Sequence, residues 1–350
     1  MTAIKDFAGL IAAGLADAAD ADRLAPVLRR YALAVTPYLA ERMADEAPDG
    51  PLRRQYLPDA AEANVQPAEL ADPIGDGAHT PVVKGPVKGI VHRYPDRVLL
   101  KPLHACAVYC RFCFRREMVG PGGDALNEAE LSAALDYIAS RPEVWEVVVT
   151  GGDPFMLSPR RLAHIVEALA AVPHVEVVRF HTRAPMADPT RVTDDLTAAL
   201  RREGVAVWVA VHANHADEFT PQAAAALARL ADAGVPLVGQ TVLLKGINDR
   251  AETLEALLRA MVRHRVKPYY LHHPDLAPGT SHFRPSLAEG RALAKGLRGR
   301  LSGLAQPTYV LDIPGGWGKV PATDAWAAAD DAAGGWTVED PQGGRHRYEG

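Results

Sequence analysis

Cysteine is almost absent from this chain, with three in 350 residues, all between positions 106 and 113. An odd, clustered set cannot staple a fold with disulfides, so these thiols point to metal or redox chemistry. Long apolar runs are also missing, and none reaches the roughly 18 residues that a membrane helix needs. There is no excess of positive charge: 38 Lys and Arg stand against 43 Asp and Glu, a net charge of −5. That balance excludes a nucleic-acid surface working by bulk charge. The N-terminal stretch MTAIKDFAGLIAAGLADAADADR has a short apolar run and an Ala-x-Ala-like pattern. Its one early lysine is followed at once by Asp6, and acids crowd the cleavage region, so it reads as an amphipathic helix and not a signal peptide. A cytoplasmic protein with reduced thiols is the expectation.

What is present is the composition of an ordinary globular protein, 48% hydrophobic and 23% charged. Residues 1–85 read as a helical and then irregular extension. The stretch APVLRRYALAVTPYLAERM (25–43) keeps one helical period, and the segment from Asp45 to Pro86 is rich in Pro, Gly and Asp. From Arg97 a new rhythm starts: the runs RVLLKPL, WEVVVT, VEVVRFH, VAVWVAV, VPLVGQTVLL and VKPYYLH, then TYVLDI, alternate with amphipathic helical segments. Strands apolar on both faces and separated by single helices indicate βα units on a parallel sheet. Nearly every strand runs out into reactive groups: Cys106, Gly151-Gly152-Asp153, His181, His212, His272 with Asp275, and Asp312, while Gln240 lies inside its run. Polar groups at the same end of six or seven strands are the layout of a (β/α) barrel; a doubly wound sheet would gather them at one switch point. The barrel is expected over 86–321, and the tail 322–350 is expected to form a hairpin turning at Gln342-Gly343-Gly344.

The loop HACAVYCRFCFRR (104–116) holds all three thiols. A structural zinc would lack a fourth ligand, for which His104 is the nearest candidate. Three unrelated core cysteines would have to meet there by accident. An iron–sulfur cubane held by three thiolates would keep one iron open. Cys106-x3-Cys110-x-Phe112-Cys113 at the end of the first barrel strand resembles the signature of the radical S-adenosylmethionine superfamily. The resemblance implies a partial (β/α)6-type TIM barrel, a [4Fe–4S] cluster on Cys106, Cys110 and Cys113, and S-adenosylmethionine on the open iron. Thr150-Gly151-Gly152-Asp153-Pro154 is similar to the motif that receives the cofactor's methionine amino group, with Gly151, Gly152 and Asp153 the matching residues.

The stretch TYVLDIPGGWGKVP (308–321) ends in a lysine behind glycines, which alone could be a phosphate contact, a Schiff-base lysine or a solvated charge. It resembles the Pro-Gly-Gly-x-Gly-Lys motif of lysine 2,3-aminomutases, which implies that Lys319 carries pyridoxal phosphate. HRYPDR (92–97), QTVLLKGIND (240–249) and HFRPS (282–286) are similar to the same family. They imply Arg93 and Arg97 as phosphate or ring contacts and Gln240 as a further cofactor contact. Arg115, two places after the last cysteine, matches the arginine for the substrate α-carboxylate, a bidentate and permanently charged partner. Asp275 and Asp312 match the two aspartates around the distal ammonium of lysine, a pair that a glutamate-specific relative should not have.

The resemblance thus implies an isomerase converting L-lysine to β-lysine, with lysine and an electron donor as partners, no nucleic acid or membrane, and compatibility with a homo-oligomer. The same chemistry on another diamino acid, or for lysylation of elongation factor P, stays open. So does a non-catalytic binding protein stabilised by zinc or a cluster, for which an internal lysine–cofactor bond would have no use.

Overall fold

The computed structural model describes residues 3–83, 85–120, 123–323, 325–329 and 336–348. A nine-stranded sheet runs in sequence order through β1 (Ile90–Tyr94), β2 (Arg97–Leu103), β3 (Glu146–Gly151), β4 (Val177–Thr182), β5 (Ala206–His212), β6 (Leu237–Val242), β7 (Val266–His272), β8 (Thr308–Ile313) and β9 (Gly318–Pro321). Strands β2 to β8 are parallel to their neighbours, whereas β1 and β9 add antiparallel edges. The seven parallel strands coincide with the seven apolar runs of the sequence, and together they form the partial barrel.

Most crossover helices begin where a short polar side chain caps them, the helix Ala251–Arg263 after Arg250 being an exception. Asn127 and Glu130 form a reciprocal capping box on the helix Glu128–Ala139. Ser158-Pro159 and Thr220-Pro221 start the helices Pro159–Ala170 and Pro221–Asp232, with proline in the first turn. Apolar residues then recur every three or four positions, as in Leu162, Ile165, Val166 and Leu169, and face the sheet. On the strands the helix-facing residues are Val147 and Val149, Val178 and Phe180, and Val207, Val209 and Val211, all in one continuous core.

The other strand face is not uniformly apolar, as the sequence runs suggested. One residue along the pleat it carries Glu146 and Arg179, an ion pair at 2.8 Å, then Thr150, His181, His212 and Gln240 toward the carboxyl ends. The barrel is therefore greasy outside, under its helices, and polar within.

The extension differs from the sequence reading in one respect. Residues 25–43 form two helices, Ala21–Arg30 and Pro37–Ala44, because Thr36 caps Leu39 N and Pro37 opens the second one. Between them Val35 pairs with Ile4 as an isolated bridge. The helix Pro51–Tyr56 follows, and an apolar cluster of Leu10, Val35, Leu39, Met43, Leu52 and Tyr56 packs on Val108 of the cysteine loop.

The two sheet edges approach across a gap. Tyr94 Oη of β1 accepts a hydrogen bond from Lys319 N of β9 at 2.7 Å. Gly315 N, in the turn before β9, donates to Pro73 O at 3.1 Å, so the extension crosses this seam. The tail forms a separate antiparallel sheet of β10 (Ala327–Ala329), β11 (Trp336–Glu339) and β12 (Arg345–Tyr348). The turn between β11 and β12 includes Gly343 at φ 87°, while residues 334–335 and 349–350 lie outside the described residues. Among the described residues no helix is long and apolar enough to cross a membrane.

Candidate active site

The cysteine loop leaves the carboxyl end of β2 and is pinned by the extension. Tyr109 N donates to Ala34 O at 2.9 Å and Arg111 N to Gln55 O at 2.8 Å. Glu62, completely buried, accepts from Arg111 at 2.6–3.0 Å and also from Arg116. Within the loop Cys113 N donates to Cys110 O at 3.1 Å. Phe112 lies edge-on to His212 at 5.6 Å and to Phe283 at 6.4 Å. The three thiols are free. Burial pushes all three up, Cys110 to about 12, and neighbouring thiols add to the rise at Cys106 and Cys110. Arg183 beside Cys110, and Arg115 and Arg116 beside Cys113, pull the other way without overcoming burial, so the thiolate form calls for the further positive charge that a metal cluster supplies. Among the described residues no three His, Cys, Asp or Glu side chains close on one metal ion. Three thiolates on different irons of a cubane do not need that convergence.

The glycine pair at the end of β3 lies directly against this loop. Gly152 N donates to Leu103 O at 2.8 Å and Asp153 N to Ala105 O at 2.9 Å. A Cβ on Gly152 would stand 2.2 Å from Ala105 O, so only glycine allows the approach. Asp153 is already engaged. Its Oδ1 accepts from Thr182 Oγ1 at 2.7 Å and from Phe155 N at 3.0 Å, and its Oδ2 accepts from Arg183 N at 2.8 Å. The carboxylate expected to receive an ammonium therefore braces the ends of β3 and β4, and the backbone of the turn is what remains for a ligand.

Around the mouth stand His181, His212, Gln240, His272, Asp275, Asp312 and Lys319. Lys319 faces Asp312 across the β8–β9 hairpin and its Nζ is ion-paired to Asp312 Oδ2. The same Nζ lies 3.3 Å from His272 Nδ1 and over the Tyr270 ring at 5.7 Å. Arg93 Nη1 is 3.7 Å from Asp312 Oδ1. Gln240 Nε2 lies 3.3 Å from His181 Nδ1. Burial, with the charges of Lys319 and neighbouring groups, holds His181 and His272 well below the usual histidine range, so both rings are neutral. Asp275 is raised to about 7, first by burial and then by the charge of Asp312, against the pull of Lys319 and Arg115.

The structure thus brings Arg93, Asp312 and Lys319 together, with Asp275 within reach of the charges of Asp312 and Lys319, and sets Gln240 against His181. Arg97 stands apart: it stacks on Tyr94 at 3.8 Å and pairs with Asp96 at 2.6 Å, joined to Lys319 only through Tyr94. Arg115 is buried, and its Nε and Nη2 both lie 3.1 Å from Asp76 Oδ2. Sequence reasoning missed Asp76 and Glu62, and also Lys101, whose charge inside the apolar run RVLLKPL was the available signal.

Residues 100–259 match the family model of the radical SAM superfamily. The chain is 41% identical over 294 residues to L-lysine 2,3-aminomutase of Fusobacterium nucleatum, covering 84% of this chain and 68% of that protein. It is 40% identical over 298 residues to L-lysine 2,3-aminomutase of Clostridium subterminale, covering 85% and 70%. The chain belongs to the lysine 2,3-aminomutase family of radical SAM enzymes. The family is not uniform in substrate, since glutamate 2,3-aminomutase of Clostridioides difficile is 35% identical over 292 residues, covering 83% and 68%.

A radical SAM enzyme works with a [4Fe–4S] cluster and S-adenosylmethionine. The three buried thiols in one loop fit that cluster, and the glycine turn packed on the loop fits a cofactor that bridges the two. In an aminomutase of this family, the mouth described above is where further cofactor and substrate contacts would have to lie.

Proposed function

We propose that this enzyme is a pyridoxal-phosphate-dependent 2,3-aminomutase that moves the amino group of L-lysine from C2 to C3. One observation carries the choice of lysine: Asp312, whose charge also reaches Asp275, already holds a primary ammonium, that of Lys319. Two carboxylates around one ammonium favour a diamino acid and oppose a glutamate side chain by direct repulsion.

Cys106, Cys110 and Cys113 would hold the cluster, and Gly151 and Gly152 would offer backbone to the amino end of S-adenosylmethionine, with Asp153 fixing that turn. Pyridoxal phosphate fits at Lys319. The lysine sits on a hairpin whose Gly316 and Gly318 adopt φ of 90° and 105°, and Arg93 Nε nearby is buried without a partner. Arg93 would meet the cofactor directly, Arg97 would support it through Tyr94, and Gln240 with His181 would line its far side. The cluster and S-adenosylmethionine supply a hydrogen-abstracting radical, and pyridoxal phosphate supplies the carbonyl that carries the migrating nitrogen.

The protein's share is orientation and proton control. Asp312 keeps the Lys319 ammonium in place, and His272 Nδ1, neutral and 3.3 Å away, is a second acceptor for a proton leaving Nζ. Arg115 would take the substrate α-carboxylate, and Asp275 and Asp312 the distal ammonium. The buried walls keep water from the reacting carbon. The test is an anaerobic assay of reconstituted protein with L-lysine and with L-glutamate, resolving β-lysine enantiomers. Turnover of glutamate without lysine would refute the proposal.

A further inference from the structure

Lys101, on β2, turns away from the helix-facing core and into the mouth, where its Nζ lies 3.2 Å from Asp76 Oδ2. That single oxygen also serves Arg115 Nε and Nη2, each at 3.1 Å. Lys101, Arg115 and Asp76 are all buried. The second oxygen of Asp76 is buried with no hydrogen-bond partner. Asp72 is the next acid, but its two oxygens are taken by Asp76 N at 2.9 Å and Gly77 N at 2.8 Å. Two buried cations thus share one carboxylate oxygen, and Asp72, whose charge reaches Lys101, has no oxygen left to accept from either of them, so a further anionic acceptor would be gripped by both.

The position says which anion. Lys101 packs against the glycine turn, since a Cβ on Gly151 would lie 3.0 Å from Lys101 Cβ. Arg115 follows the last cysteine by two residues, and its charge reaches Asp275. The pair therefore stands between the cysteine loop and the acid pair of the mouth. We infer that Lys101 and Arg115 form a two-cation clamp for an α-amino-acid carboxylate, with Asp76 of the extension as the positioning residue that holds both in place. Two molecules here carry that group: the amino-acid substrate and the methionine end of S-adenosylmethionine. The substrate arm of this inference rests on the function proposed above; the cofactor arm rests on family membership alone.

The experiment measures equilibrium binding to reconstituted holoprotein, kept oxidised so that no turnover occurs. L-lysine is compared with 1,5-diaminopentane, and S-adenosylmethionine with its decarboxylated form, in wild type, Lys101→Met and Lys101→Arg. Losing a charge-assisted hydrogen bond should weaken the carboxylate-bearing ligand roughly 10- to 100-fold in Lys101→Met. Its decarboxylated counterpart should be unchanged, and Lys101→Arg should restore the preference. Collapse of the preference in the lysine pair assigns the clamp to substrate, and collapse in the nucleoside pair assigns it to cofactor. Preferences unchanged in both pairs would overturn the clamp. Wild type that binds S-adenosylmethionine but not lysine would overturn the proposed substrate, while the cofactor arm still decides the clamp.

Discussion

Asp275 offers the sharpest handle on the substrate assignment, because its charge is costly before substrate arrives. The carboxyl is lifted from an ordinary 3.8 to about 7 by burial and by Asp312. A lift of that size corresponds to on the order of 4 kcal/mol. This is an upper figure, since Asp275 lines a recess and keeps part of its surface. The folded protein holds the proton more tightly than the unfolded chain does, so stability falls as pH rises from about 4 and levels off above about 7. Asp275→Asn should therefore raise the midpoint of thermal unfolding at pH 8 by up to roughly 5 °C, with the gain fading toward pH 4. Lysine binding should run the other way. Only the ionised carboxylate grips an ammonium, so lysine affinity in wild type should climb about tenfold between pH 6 and pH 8 relative to Asp275→Asn. Calorimetric unfolding and lysine titration across that range, on both proteins, check the two slopes. A stability difference that does not vary with pH, or a wild-type to variant affinity ratio that stays flat, would refute the reasoning.

Alanine at any one of Cys106, Cys110 or Cys113 should abolish cluster absorption and activity together, while His104→Ala should keep both; optical and Mössbauer spectra of reconstituted variants check this. Lys319→Ala should keep the cluster but lose the pyridoxal phosphate that borohydride would otherwise fix to the chain, as peptide mass analysis would show. Gly152→Ala should drive Ala105 and its loop away from the turn, lowering S-adenosylmethionine affinity by at least tenfold with little change in the fold's circular dichroism. Glu62→Gln should cost about 3–5 kcal/mol, because Arg111 and Arg116 lose their shared buried anion, and denaturant unfolding should show it.

The parts of this molecule that were legible in the sequence are those whose partners are local or repeated. Seven apolar runs with helices between them announce parallel strands, since each strand needs cover on its helix side. The cysteine spacing and the glycines before Lys319 are likewise contained in single loops. The single helical period over 25–43 misled because both flanking helices share it, and only Pro37 marks the break. Strand β1 hid inside HRYPDR, where Pro95-Asp96 makes the hairpin turn with Tyr94 opposite Arg97. Asp76 and Glu62 were out of reach for another reason. Their partners lie 39 and 49 residues away, and an acid in a Pro- and Gly-rich segment has no local pattern that names a distant arginine.

Those distant acids explain why the extension belongs to the site and is not a separate appendage. The cysteine loop carries Arg111, Arg115 and Arg116, and the end of β4 carries Arg183. Glu62 meets the first and third of these and Asp76 the second. Tyr56 Oη accepts from Arg183 Nε at 2.5 Å and Gln55 Oε1 from its Nη2 at 2.6 Å, beside the Glu218 pair at 2.8 Å. Each arginine is buried, and a buried guanidinium without an acceptor is a large penalty. A barrel stripped of residues 55–76 would leave three of the four without the acceptors described here, in the very loop that must stay ordered around three thiols. Apolar packing of Val108 on the extension holds the loop's position, and the polar struts hold its orientation. Orientation is what radical chemistry demands, because the abstracting carbon and the target hydrogen must meet at near contact distance and nowhere else.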